Sequence, residues 1–177
     1  MTANHSRLVA LLLAIVTAAM LRLLPHPPNF SPIGAMALFS GAYLGRRALA
    51  FAAPLGALLL SDAVLGFYHG MATVYAADLL IVLMGSLVLQ RRSALRIGAA
   101  AVASSSLFFV ITNFGMWLSS GLYPRTVVGL EACFVAAIPF FQNTLAGDLF
   151  YAAVLFGGFR VAELLMPQLR AGEPQLA

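Results

Sequence analysis

From Leu8 to Leu21, and again from Ile97 to Leu118, the chain runs without a charged side chain. Runs of that length have one favourable solvent, the hydrocarbon of a bilayer, which a helix of about 20 apolar residues crosses. The remainder of the sequence agrees. Some 62% of residues are apolar and only 9% charged, against roughly 25% charged in a soluble domain, which leaves too little charge to clothe a water-facing surface. At about 20 residues per span, a chain of 177 residues holds at most six or seven spans. That means one membrane domain and no separate soluble catalytic unit. The single cysteine, Cys133, excludes an internal disulfide and a Cys-based zinc site, and three scattered histidines supply no helical metal motif. Neither a metal nor another cofactor is expected. All ten basic residues are arginine, and in such a chain arginines set topology; nucleic acid is not an expected partner.

The pattern predicts an all-α bundle of six spans over residues 1–166, followed by a flexible cytoplasmic tail, 167–177. The first helix covers 8–24 and stops at Pro25, Pro27 and Pro28. Because only further apolar segments follow it, this run reads as a retained helix rather than a cleaved signal. A short second helix covers 32–45, with Pro32 suited to a first turn. The others cover 48–66, with a kink at Pro54, then 74–90, 97–118 and 140–166. Gly121, Pro124 and Gly129 break up the segment 119–139, whose stretch Val127 to Ile138 reads as a short helix lying at or dipping into the membrane surface. Eight arginines fall on one side of this layout, and only Arg22 and Arg125 on the other. The positive-inside bias places both termini in the cytoplasm, with loops 1, 3 and 5 outside.

Ionisable groups within spans are costly and face a bundle interior or a cavity. With the topology set, Asp62, Asp78, Asn113, Gln142, Asn143 and Asp148 fall in one outer layer of four helices, beneath Asn29, His69 and Arg125 of the loops and beside Trp117. Apolar and aromatic walls with a few convergent polar groups make a small-molecule pocket, and these ten residues are the candidate substrate-binding set. Each also has a structural reading. Asp62 can bond backbone near a helix end, Asp78 can complement a macrodipole in a first turn, and Asn113 can bridge helices. Three acids against one loop arginine favour a compact cationic or amine-bearing ligand; internal pairing with Asn113 and Gln142 is the alternative. Ala10, Ala14 and Ala18 form a small-residue face on the first helix, suited to docking a partner helix or to packing within the bundle.

The segments PNFSPIGAMALFSGAYLG (28–45), PLGALLLSDAVLGF (54–67), SSLFFVITNFGMWL (105–118) and YPRTVVGLEACFVAAIPFFQNTLAGDLFYAAVLFG (123–157) resemble an uncharacterised family of bacterial six-helix membrane proteins assigned to transport. That family is similar in turn to the substrate-binding S components of energy-coupling factor (ECF) vitamin transporters. The resemblance implies six helices, an outer-half substrate site capped by loops 1, 3 and 5, and docking of Ala10, Ala14 and Ala18 on a coupling subunit that works with ATPases. The chain lacks the Met-His start of nickel and cobalt S components, and it has no cysteine near loop 3, where solo cobalamin-binding S components carry one.

The sequence therefore points to a vitamin-like small-molecule uptake protein of the bacterial inner membrane, without chemistry of its own. The rival reading is a structural or assembly membrane protein of cell-shape-scaffold type with no ligand. An intramembrane enzyme using Asp62, Asp148 and His69 finds no nucleophile pair or metal spacing to support it.

Overall fold

A helix that is apolar on every face belongs at the centre of a bundle, and α2, Ile33–Leu44, sits there. In the computed structural model, which describes residues 2–170, every side chain of α2 from Ile33 to Gly41 is buried. Around it stand α1 (Thr2–Leu21), α3 (Ala48–Leu65), α4 (Met71–Val88), α5 (Ala94–Ser119) and α6 (Val127–Ala152), all packed against it. A π-helical turn, Ala153–Gly157, leads from α6 into α7 (Gly158–Leu165), and Pro167–Leu169 form a 3-10 turn. No strand occurs among the described residues. The closest approach is between α2 and α4, where a Cβ on Gly41 would stand 2.0 Å from the Val82 carbonyl oxygen and one on Gly85 2.5 Å from that of Leu38. Only glycine lets the two backbones meet so closely.

Four helices, Ala48–Leu65, Met71–Val88, Ala94–Ser119 and the continuous Val127–Leu165, are long and apolar enough to cross a membrane, while His5–Leu21 and Ile33–Leu44 are shorter apolar helices. The outer surface suits the same solvent. Leu13, Leu60, Val64, Val110, Phe150 and Leu165 are all exposed, an arrangement unfavourable in water and neutral in lipid.

Several sequence expectations are corrected. The last long helix begins at Val127 rather than at 140, so no separate surface helix occupies 127–138 and Pro139 lies inside α6. Thr126 caps it, its Oγ1 accepting from the Gly129 amide at 3.2 Å. The carbonyl of Pro124 crosses where a Cβ on Gly129 would lie, so Gly129 marks a tight turn entering the helix. α4 starts at Met71, which puts Asp78 about two turns inside it rather than in its first turn. The beginning of the tail is packed: Leu169 is buried and its carbonyl accepts from Arg7, while Arg170 Nε donates to the Glu163 carbonyl at 2.9 Å. Residues 171–177 of the expected flexible tail lie outside the described residues. The alanine face of α1 is turned inward, with Ala18 in the core and Ala10 and Ala14 packed against it. The exposed face of α1 carries Val9, Leu13 and Val16, so the alanines pack the bundle and do not form a docking surface.

Candidate functional site: a cavity above the central helix

The site is built around the N-terminus of α2. The first amides of a helix have no intrahelical acceptor, and Pro32, at the N-cap position, offers no side-chain cap. In hydrocarbon an unsatisfied N–H costs several kcal/mol. Asp148 of α6 lies directly against this end: a Cβ on Gly34 would stand 2.6 Å from its Oδ1, and Ser105 of α5 donates its hydroxyl to Oδ2 at 2.6 Å. One acid thus joins α2, α5 and α6 while remaining 2% exposed.

Above this carboxylate lies a cavity of about 500 Å³. Phe108, Phe109, Phe140 and Phe141 form an aromatic wall, and Ile33, Leu65, Val74 and Met116 add apolar surface. Polar groups reach in from several elements: Asn29 and Ser31 from loop 1, Thr112 and Asn113 from α5, Thr144 and Asp148 from α6, and Arg22, His26 and Tyr68 from the rim. Loop 1 closes one side. Asn29 takes a left-handed backbone conformation, φ 63°, which asparagine tolerates better than most residues, and Asn143 Nδ2 donates to the Pro28 carbonyl at 2.9 Å. Loop 1 rests directly on α6, where a Cβ on Gly147 would stand 3.0 Å from the Ser31 amide nitrogen.

Of the ten candidate residues, Asn29, Asn113 and Asp148 line the cavity and the other seven do not. Asp62 is fully buried and engaged elsewhere: Arg22 Nη2 stands 2.9 Å from its Oδ1 as an ion pair without hydrogen-bond geometry, and Tyr75 donates its hydroxyl to Oδ2 at 3.0 Å. Arg22 also donates to Ser61 Oγ. Asp78 is fully buried, and neither of its carboxylate oxygens has a hydrogen-bond partner among the described residues. Trp117 Nε1 donates to the Pro124 carbonyl at 2.9 Å and Arg125 Nη2 to that of Leu118 at 2.9 Å; both fasten the α5–α6 turn instead of facing a ligand. His69 and Gln142 are exposed and away from the cavity. Asn143 acts on the loop that covers it. The rim residue Tyr68 has its phenol pushed above the ordinary value by burial and, secondarily, by Asp62, so it faces the cavity as a neutral hydroxyl.

The sequence reading missed His26 and Thr112 as lining residues and Arg22 as the partner of Asp62. A signal for the pair existed, because α1 and α3 end at the same level of a bundle in which Arg22 and Asp62 both sit near those ends. No such signal marked His26, which follows Pro25 in a loop whose course the sequence does not specify.

The chain matches, over residues 2–169, a family of unknown function designated DUF6580. It belongs to that family. No curated protein and no solved structure matches it. Membership in DUF6580 carries no activity, so any functional reading rests on the cavity.

Proposed function

We propose that this DUF6580 protein is a multi-pass protein of the bacterial inner membrane that binds a compact organic molecule and mediates its uptake, in the manner of an ECF S component and without chemistry of its own. The observation that carries the reading is the 500 Å³ cavity with its aromatic wall and single lining carboxylate. Its volume is within the range of small-molecule sites. Its charge favours an amine or other cationic group, because the guanidinium of Arg22 is engaged by Asp62 and Asp148 is the acid that faces the space. The hydroxyls of Thr112 and Thr144 donate to carbonyls of their own helix, at 2.8 and 3.1 Å, which suits a binding wall better than an activated nucleophile. The skewed distribution of arginines supports cytoplasmic termini, and uptake without a nucleotide motif implies an energising partner such as a coupling subunit with ATPases. The ECF likeness rests on architecture; the inward-facing alanines of α1 remove the docking surface that the likeness implied, so any coupling subunit would engage another face.

The scaffold reading draws on one observation of its own. The Arg22–Asp62–Tyr75 cluster ties α1, α3 and α4 together without any ligand. Extraction of small molecules from protein purified in mild detergent separates the two readings. Uptake predicts a compact amine that accompanies the wild type and is missing from Ala137→Phe, which places a ring in the cavity that Ala137 lines. A folded wild type that carries no small molecule, and gains no stability from any amine in a panel of vitamin-like compounds, overturns the uptake reading.

A further inference from the structure

A second cavity, of about 640 Å³, opens at the opposite, arginine-rich end of the bundle. It exists because α5 and the turn after α6 face one another with small residues, Ala94 and Gly98 against Ala153 and Gly157. A Cβ on Gly98 or on Gly157 would meet no atom within 4 Å, so the helices leave a groove there instead of closing on each other. The π-helical turn Ala153–Gly157 forms one wall, and such turns recur at functional positions. Leu149 and Phe156 make the groove apolar along its length.

Its mouth is cationic. Arg92 lies over the Tyr43 ring at 4.5 Å and donates from Nη1 to the Ala42 carbonyl at 3.0 Å, a placement that fixes the guanidinium at the rim. Arg160 stands on the other side, 68% exposed, with Glu163 at 3.5 Å. Glu163 is already held by Arg7 at 2.7 Å. Arg7 and Arg160 therefore share one carboxylate, Arg92 has no ion-pair partner among the described residues, and the rim carries an uncompensated positive charge next to an apolar groove. A phosphate-bearing head on an acyl chain has the complementary form: the phosphate accepts from guanidinium groups in charge-assisted hydrogen bonds, and the chain covers the groove. Basic pockets between membrane helices recognise anionic lipid heads by this means.

We propose that the groove between α5 and the α6–α7 junction is a binding site for an anionic phospholipid, with its phosphate at Arg92 and Arg160 and one acyl chain along Gly98 and Ala153. The site is separate from the small-molecule cavity and rests only on the membrane assignment.

Thermal unfolding of the purified full chain in detergent tests it, with added dioleoylphosphatidylglycerol, dioleoylphosphatidylcholine or inorganic phosphate. Phosphatidylglycerol, the anionic lipid, raises the melting temperature while phosphatidylcholine and phosphate leave it unchanged. Arg160→Gln weakens the lipid response about fivefold, as expected for the loss of one cationic side chain near a lipid surface. Gly98→Leu abolishes the response by filling the groove. Both variants keep the wild-type melting temperature in detergent alone, since Arg160 is exposed and the new leucine enters open space. Equal stabilisation by phosphatidylcholine overturns the proposal, as does equal stabilisation by phosphate alone, which marks a free-anion site. An undiminished lipid response in both folded variants also overturns it. Should Gly98→Leu fail to fold, the Arg160→Gln titration decides alone.

Discussion

The carboxylate of Asp148 occupies the space that the missing side chain of Gly34 leaves free: a Cβ on Gly34 would stand 2.6 Å from Asp148 Oδ1. The acid can lie against the first turn of α2 only because that residue is glycine. Gly34→Ala should therefore force Asp148 off the helix terminus and lower stability by about 1–3 kcal/mol, the usual cost of overpacking. Gly56→Ala is the control, because its new methyl meets nothing within 4 Å. Thermal unfolding of both in detergent should show a loss for the first and none for the second.

Asp62 and Arg22 make the opposite point about charge. With Asp62 fully buried and the Arg22 side chain 10% exposed, removing one partner strands the other in an apolar surround. Arg22→Met should cost about 3–5 kcal/mol, whereas Arg22→Met with Asp62→Leu should recover most of the loss, as replacement of a whole buried pair commonly does. Equal losses in the single and double variants, measured by detergent unfolding, would show that the pair contributes nothing through its charges.

The ends of several helices were legible in the sequence, and direction around them was not. The limits of α2 followed from Pro32 and Gly45, and the polar layer at one end of the bundle followed from placing Asp62, Asp78, Asn113 and Asp148 by helix length. Which of these faced a cavity was hidden, since lipid-facing and core-facing positions are equally apolar and leave no amphipathic stripe to orient a helix. Trp117 and Arg125 illustrate it: both are committed to carbonyls of the α5–α6 turn. The start of α6 was missed for a different reason. Gly129 reads as a breaker and Pro139 as the end of a segment, but in a membrane bundle a proline is tolerated within a helix, and Gly129 serves the turn. Thr126, an N-cap residue type directly before an apolar run, was the available signal.

The side of the membrane on which each loop lies is open to direct labelling. In a Cys133→Ala background, single cysteines at Ser93 and Gln168 should react with an impermeant maleimide only from the cytoplasmic side, and one at Ser120 only from outside. Ser93 joins α4 to α5 and Ser120 follows α5, so a 26-residue helix separates them. Labelling of both from the same side would remove α5 as a span, and labelling of Ser93 from outside would invert the arrangement.

Asn143 holds loop 1 over the cavity without lining it, which separates closure from recognition. Its Nδ2 bond to the Pro28 carbonyl is 2.9 Å long, and a hydrogen bond of this kind contributes about 0.5–1.5 kcal/mol. The loop keeps its own turn, with the Phe30 amide on the Pro27 carbonyl at 3.0 Å, so Asn143→Ala should loosen its attachment rather than unfold it. If the proposed small-molecule binding holds, the expected result is faster dissociation of the ligand, by up to about tenfold for the loss of one such bond, with the melting temperature of the ligand-free protein nearly unchanged. Asn113→Leu, which replaces a lining polar group with an apolar one, should instead change which molecules bind. Exchange of a ligand identified by the extraction experiment against its isotope-labelled form measures the first effect, and a panel of competing amines measures the second. An unchanged dissociation rate in Asn143→Ala would show that loop 1 does not gate the cavity.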